Sequence, residues 1–148
     1  MSEYLETAVD KFVFRVAADR LYSADGVWAQ CQGKRVRLGL TDYFQQRNGD
    51  VAFVHVKPVG TTLEVGEEFA ELETIKASAS LFTPIAGTLW DVNKALELSP
   101  ETINEDPYGK GWLAVVEAVD WERDAAKLLD PQTYLSLIRS EAEQENAG

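Results

Sequence analysis

At 148 residues the chain has room for one core of ordinary size and not for two domains. Its 45% hydrophobic and 26% charged residues exclude a disordered or fibrous polymer, and a formal net charge of −11 argues against nucleic acid and anionic lipid, whose binding needs clustered Lys and Arg. The same charge favours partners with basic docking surfaces.

In chain order, residues 1–10 are acidic and weakly amphipathic and predict a short helix or a loose arm. Met1-Ser2-Glu3-Tyr4 has no basic segment followed by an apolar run, and no stretch approaches a membrane span, so the expected compartment is the cytoplasm. Residues 11–16 read as a first strand. Ala24-Asp25-Gly26 is a turn signal, after which 27–31 and 36–40 form a hairpin closed at Gln32-Gly33-Lys34. Cys31 lies on it as the only cysteine, which excludes an intramolecular disulfide; Gln30 and Gln32 supply no local base, so its expected role is structural.

Residues 41–47 predict a short helix capped by Thr41 or Asp42 and closed near Asn48-Gly49. Residues 51–56 are apolar apart from His55 and predict a central, well-buried strand. His55, with no second histidine and no nearby cysteine, makes a poor metal site, and its expected place is structural, partly exposed at the strand's end.

Two alternating runs, 68–73 and 77–82, flank Thr74-Ile75-Lys76 and place Lys76 at a hairpin tip. From the residues alone Lys76 is either an ordinary exposed lysine or the carrier of a tethered cofactor. Beyond it, 88–92 reads as a strand, Ser99-Pro100-Glu101 as a helix start, 104–109 as a cluster of turn formers and 112–117 as the last strand. Residues 120–129 are expected to be helical. Asp130-Pro131 opens a final helix that packs through Tyr134, Leu135 and Ile138, with a frayed tail from Glu141.

Many short strands with a helical tail predict a mainly β fold with peripheral α, a small sandwich or flattened barrel. The expected organisation is a single domain over 1–148, with an N-terminal extension (1–21), a barrel (22–120) and a C-terminal helical segment (121–148). There is no Gly-rich phosphate loop, nucleophile elbow or metal-ligand spacing, so catalytic residues and metal are expected to be absent. Glu105 and Asp106 are explained by turn chemistry.

The run Glu73-Thr74-Ile75-Lys76-Ala77 resembles the lipoylation motif of the H-protein of the glycine cleavage system, a family similar to lipoyl and biotinyl domains. Residues 99–113, from Ser99 to Leu113, closely resemble its second signature. Thr41-Asp42-Tyr43, Gly49-Asp50-Val51 and Leu128-Leu129-Asp130 match too, so the resemblance runs from about Tyr22 to Ile138. It implies a lipoyl-type flattened β-barrel (barrel-sandwich hybrid) and a non-catalytic carrier with lipoate amide-linked to Lys76. Glu73 is expected by analogy to guide the lipoate-attaching enzyme. Biotin is disfavoured because Lys76 lacks Met on either side.

The departures from the family pattern concern the cargo. Where the family has His-Glu before the tryptophan, this chain has Gly26 and Val27. Where the family has an aspartate four residues beyond the lysine, it has Ser80. Those acids are the ones thought to hold the amine of an aminomethyl cargo, and Asp25 compensates only in part. Together with the unusual residues 10–22, this resembles the lipoate-binding proteins of heterodisulfide-reductase-like sulfur oxidation. The expectation is a carrier of a sulfur-bound intermediate working with that complex; the alternative is an H-protein serving the glycine cleavage enzymes. An interaction module without cofactor is the third reading.

Overall fold

The structure, a computed structural model, describes residues 3–147. Met1, Ser2 and Gly148 lie outside the described residues, and so does the part of the N-terminal expectation that falls on Met1 and Ser2. No helix among the described residues is long and apolar enough to cross a membrane.

The chain opens with an antiparallel hairpin, β1 (Tyr4–Val9) and β2 (Phe12–Ala17), paired in register from Tyr4↔Ala17 to Val9↔Phe12. This corrects the helix or loose arm expected for residues 1–10. Leu5, Thr7 and Val9 alternate with exposed Glu6 and Ala8, a strand period that β2 and the C-terminal helix turn into burial.

Next come β3 (Leu21–Tyr22), β4 (Val27–Gln32), β5 (Arg35–Leu40) and α1 (Asp42–Asn48). Thr41 caps α1, its Oγ1 accepting the Phe44 N–H, and the Gly49 N–H closes the helix on Gln45 O. Then follow β6 (Val51–Val56), β7 (Thr62–Leu63), β8 (Glu68–Thr74), β9 (Ser78–Phe82), β10 (Gly87–Val92) and a 3-10 turn over Lys94–Glu97. The chain ends with α2 (Thr102–Glu105), β11 (Ala114–Ala118), α3 (Trp121–Ala125) and α4 (Pro131–Ala147).

Strands β3-β4-β5-β11-β10-β7 form a six-stranded sheet, and β6-β8-β9 form a three-stranded one. The apolar core lies between them, from Val36, Leu38 and Leu40 on one sheet to Val54, Phe69, Leu72 and Leu81 on the other. The fold is mainly β with peripheral helices, as expected, but each sheet keeps its edge strands and neither closes into a ring. A second cluster, rich in aromatics, joins Phe14, Tyr22, Trp28, Tyr43, Tyr108, Tyr134 and Ile138 and seats the β1–β2 hairpin and α4 on the six-stranded sheet. The Tyr22 and Tyr134 rings stack at 4.6 Å, and Tyr22 and Leu129 exchange backbone hydrogen bonds of 2.9 and 2.8 Å.

Two further expectations are corrected. Strand β6 is not central: it pairs only with β8, and a register shift between Val51 and Phe53 leaves Ala52, Phe53 and His55 exposed. The tail from Glu141 does not fray at that point. Helix α4 runs on to Ala147, with Ala142 buried and Arg47 of α1 pairing with Glu141 and Glu145. The helical expectation for 120–129 is met only over α3, which Asp120 caps by accepting the Arg123 N–H.

Candidate functional site

The β8–β9 hairpin turns beyond its last paired residues, Glu73 and Ser78, and Ile75, Lys76 and Ala77 in the turn are exposed. Local bonds shape the turn. Thr74 N–H donates to Ala77 O at 2.9 Å, and Thr74 Oγ1 accepts the N–H groups of Lys76 and Ala77, each at 3.2 Å. The Ile75 N–H reaches Asp50 O in the neighbouring α1–β6 loop at 3.3 Å. A threonine at position 74 thereby does for the turn what an Asx or ST motif does elsewhere, satisfying backbone donors that strand pairing leaves over.

Lys76 is exposed, and its ammonium has no ion pair or hydrogen bond among the described residues. Its aliphatic stem lies across Gly49, where a β-carbon would stand 3.5 Å from Lys76 Cε. Gly49 adopts φ 85° and ψ −169°, a combination that only glycine holds without strain. Ile75 beside it is 75% exposed. An unpaired amine on a bonded, exposed turn suits acylation: it enters another enzyme's active site without breaking a hydrogen bond or ion pair of its own fold.

Sequence reasoning missed the residue that holds this arrangement together. Asn104 of α2 accepts the Val51 N–H at 2.9 Å and donates to Gly49 O at 3.0 Å and to Gln45 Oε1 at 3.1 Å. It thus ties the 99–113 stretch to the loop on which the lysine turn rests. Its signal was its place within that signature, read there only as turn chemistry.

Glu73 is exposed on the outer face of β8, opposite Phe53 and Ser78, and makes no ion pair among the described residues. Ser80 is exposed opposite Glu71. Val27 points into the main core at 1% exposure. Gly26 is buried with φ 93°, and a β-carbon there would meet the Phe44 ring at 2.9 Å. A histidine and a carboxylate at these two places would need a different local backbone and a polar pocket that this core lacks. Asp25 is exposed in the turn before them.

Cys31 is half-buried with its thiol on Gly33 O at 3.3 Å, and burial pushes its pKa up, away from nucleophilic use. No group of metal-ligating side chains that includes His55 is found among the described residues.

A cleft of about 490 Å³ opens beside Gly49, between the 24–26 turn, α1 and α4, and includes Asp25, Tyr43, Arg47, Asn48, Tyr134 and Glu141 in its wall. Two tyrosines, Tyr43 and Tyr134, are among the residues that line it. Tyr134 Oη is bonded to Thr41 Oγ1 at 2.8 Å, and Tyr43 Oη is buried with the Glu141 carboxylate near it.

The family model for the glycine cleavage H-protein matches residues 20–141 of this chain. The chain belongs to the glycine cleavage H-protein family. It is 39% identical over 127 residues to the glycine cleavage system H protein of Thermus thermophilus, covering 86% of this chain and 98% of that one. With the protein of the same name from Bacteroides thetaiotaomicron it shares 40% over 117 residues, covering 79% and 92%. The crystal structure of a glycine cleavage system H protein from Mycobacterium marinum superposes with a TM-score of 0.69 at 33% identity, covering 88% of this chain and 98% of that one. H-proteins of this family are non-catalytic carriers with lipoate bound covalently on a lysine, and this chain is such a carrier. The expected kinship with sulfur-oxidation carriers finds no support in these relatives. The β1–β2 hairpin lies outside the matched stretch.

Proposed function

We propose that the chain acts as one lipoyl-carrier domain in the cytoplasm, with lipoate amide-linked to Lys76 Nζ. Its cargo is the aminomethyl group passed from glycine decarboxylase to the aminomethyltransferase. The observation that carries this reading is Lys76 itself, an exposed and unpaired amine on a hydrogen-bonded hairpin tip in a member of the H-protein family. Bound lipoate supplies the two sulfur atoms that hold the cargo; the protein supplies position and reach. Tethering keeps the sulfur atoms at high effective concentration near each docked partner. Glu73, exposed three residues before Lys76, is the side chain the lipoate-attaching enzyme reads.

A specific observation favours a second reading. Val27 is sealed in the core and Ser80 is a hydroxyl, so neither supplies a counter-charge for a cationic amine. A carrier of a sulfur-bound intermediate for a heterodisulfide-reductase-like complex needs none.

The test is mass spectrometry of the Lys76 peptide from protein isolated under non-reducing conditions from its own cells. Lipoate with an aminomethyl group supports the first reading, and lipoate with added sulfur replaces it by the second. Unmodified Lys76 in every molecule removes both.

A further inference from the structure

Strand β6 is an edge whose outward backbone groups the fold leaves unused. The Lys57 N–H donates to Phe69 O of β8 at 2.9 Å. By the alternation of an antiparallel pair, Phe53 and His55 also turn their backbone groups to β8, whereas Val54 and Val56 turn theirs away. On that side β6 has no neighbouring strand. At its start the Asn104 side chain stands in for one, accepting the Val51 N–H at 2.9 Å. Nothing among the described residues does the same for Val54 or Val56.

A groove of about 350 Å³ runs beside residues 52–56, and Val92, Leu96 and Pro100 give it an apolar lining to which the exposed Glu97 adds a carboxylate. Phe53 is 54% exposed, and Leu98, next to Glu97, is 90% exposed. An unpaired edge beside apolar side chains is what a sheet offers to an incoming strand. The outer face of this sheet is acidic. Glu71 stands opposite His55 and Glu73 opposite Phe53, and both carboxylates are exposed. Neither they nor Glu97 makes an ion pair or side-chain hydrogen bond among the described residues. The cations nearest the groove in sequence are Lys57, just past β6, and Lys94 on the 3-10 turn.

We propose that the β6 edge is a docking site for a partner protein, which adds an extended segment of alternating apolar and basic residues as a further strand. Its backbone bonds Val54 and Val56, and its apolar side chains enter the groove towards Leu96 and Pro100. Its basic side chains lie on the outer face beside His55, in the field of Glu71 and Glu73. Charge decides against a second copy of this chain, which at a net −11 would set acid against acid. The added strand runs close to the lysine turn, because Phe53 is opposite Glu73, three residues before Lys76. The inference deepens the carrier reading and rests on it only for the partner's role, that of an enzyme served by the Lys76 arm.

The probe is an acetylated, amidated octapeptide alternating valine and lysine, added to the full-length protein without lipoate, and amide hydrogen exchange is read along β6. Exchange at Val54 and Val56 should slow severalfold at about 1 mM peptide, with the amides of β10 and β11 unchanged. Methylating the backbone nitrogens of the valines alone, or of the lysines alone, keeps every side chain but turns methyl groups to β6 in only one of the two peptides. One should therefore bind about tenfold more weakly than the other. Replacing the lysines by glutamates should abolish the protection. No protection at Val54 and Val56, equal binding of the two methylated peptides, or equal protection by the glutamate peptide would each overturn the docking site. Protection that grows with protein concentration and needs no peptide would overturn it too, assigning the edge to a second copy. Because the protein carries no lipoate, these outcomes are separate from the carrier reading, which the mass of the Lys76 peptide decides.

Discussion

The stem of Lys76 rests on Gly49, 3.5 Å from where a side chain at position 49 would begin. The contact joins the hairpin tip to the end of α1, and Asn104 holds the backbone carbonyl of Gly49 in place from below at 3.0 Å. The lysine is therefore presented by three separate parts of the chain, the hairpin, the α1–β6 loop and α2.

Gly49→Ala should destabilise the protein by about 1–3 kcal/mol, since φ 85° with ψ −169° is a region that only glycine occupies at low cost. The loss is read as a lower urea midpoint with an unchanged slope. A variant as stable as wild type would show that the loop relaxes into another conformation, and lipoylation of Lys76 would then report whether presentation survives.

Thr74→Val removes the oxygen that accepts from the Lys76 and Ala77 N–H groups and leaves the strand pairs intact. Because the turn is exposed, the expected cost to global stability is only about 1 kcal/mol. The main effect is local: amide exchange at residues 75–77 should accelerate severalfold with the rest of β8 and β9 unchanged. Unaltered exchange there would mean that the Thr74–Ala77 backbone bond alone holds the tip.

Thr41→Val strips α1 of its cap and the Tyr134 hydroxyl of its partner in one step. Loss of the cap costs about 1 kcal/mol and the stranded phenol about 1–3 kcal/mol more. Thermal unfolding should shift down clearly more than for Thr74→Val. Thr41→Ser, which keeps the oxygen, should recover most of the difference.

Asp124 is buried and accepts from the Ala86 N–H at 2.9 Å and from Arg123 Nε at 3.0 Å. Burial acts to raise its pKa, but the hydrogen bonds from Arg123 and Ala86 outweigh it and hold the carboxyl below its ordinary value. A depressed folded pKa contributes stability that is fully present above the unfolded value of about 3.9 and is lost as pH falls through the folded one. Asp124→Asn should therefore be less stable than wild type at pH 7, and the gap should close below about pH 4. A gap independent of pH would assign the loss to packing instead.

The candidate site and half of its setting were legible in the sequence. The hairpin around Lys76 could be read because Ala70 and Leu72 alternate with Glu71 and Glu73, and α1 because Thr41 and Asn48-Gly49 mark its ends. What stayed hidden was set by distant partners. Val51–Val56 is apolar enough for a central strand and becomes an edge only through the order of pairing. Residues 4–9 carry strand alternation, but their acids mask it until β2 supplies the register. The acidic tail gains its last helical turns in company with Arg47 of α1, and Asn104 acts across to Gly49, a contact no local pattern encodes.

The backbone bridge between Tyr22 and Leu129 joins residues near opposite ends of the chain. Loop closure over such a separation comes late and slowly in folding. During synthesis the lysine hairpin can form soon after residue 82 emerges, whereas the aromatic layer that seats α4 must wait for nearly the whole chain. If acylation needs only the hairpin and its loop, Lys76 is open to the attaching enzyme before the carrier is complete. A protein truncated before Leu129 would then be acylated, yet lack the aromatic layer that seats α4.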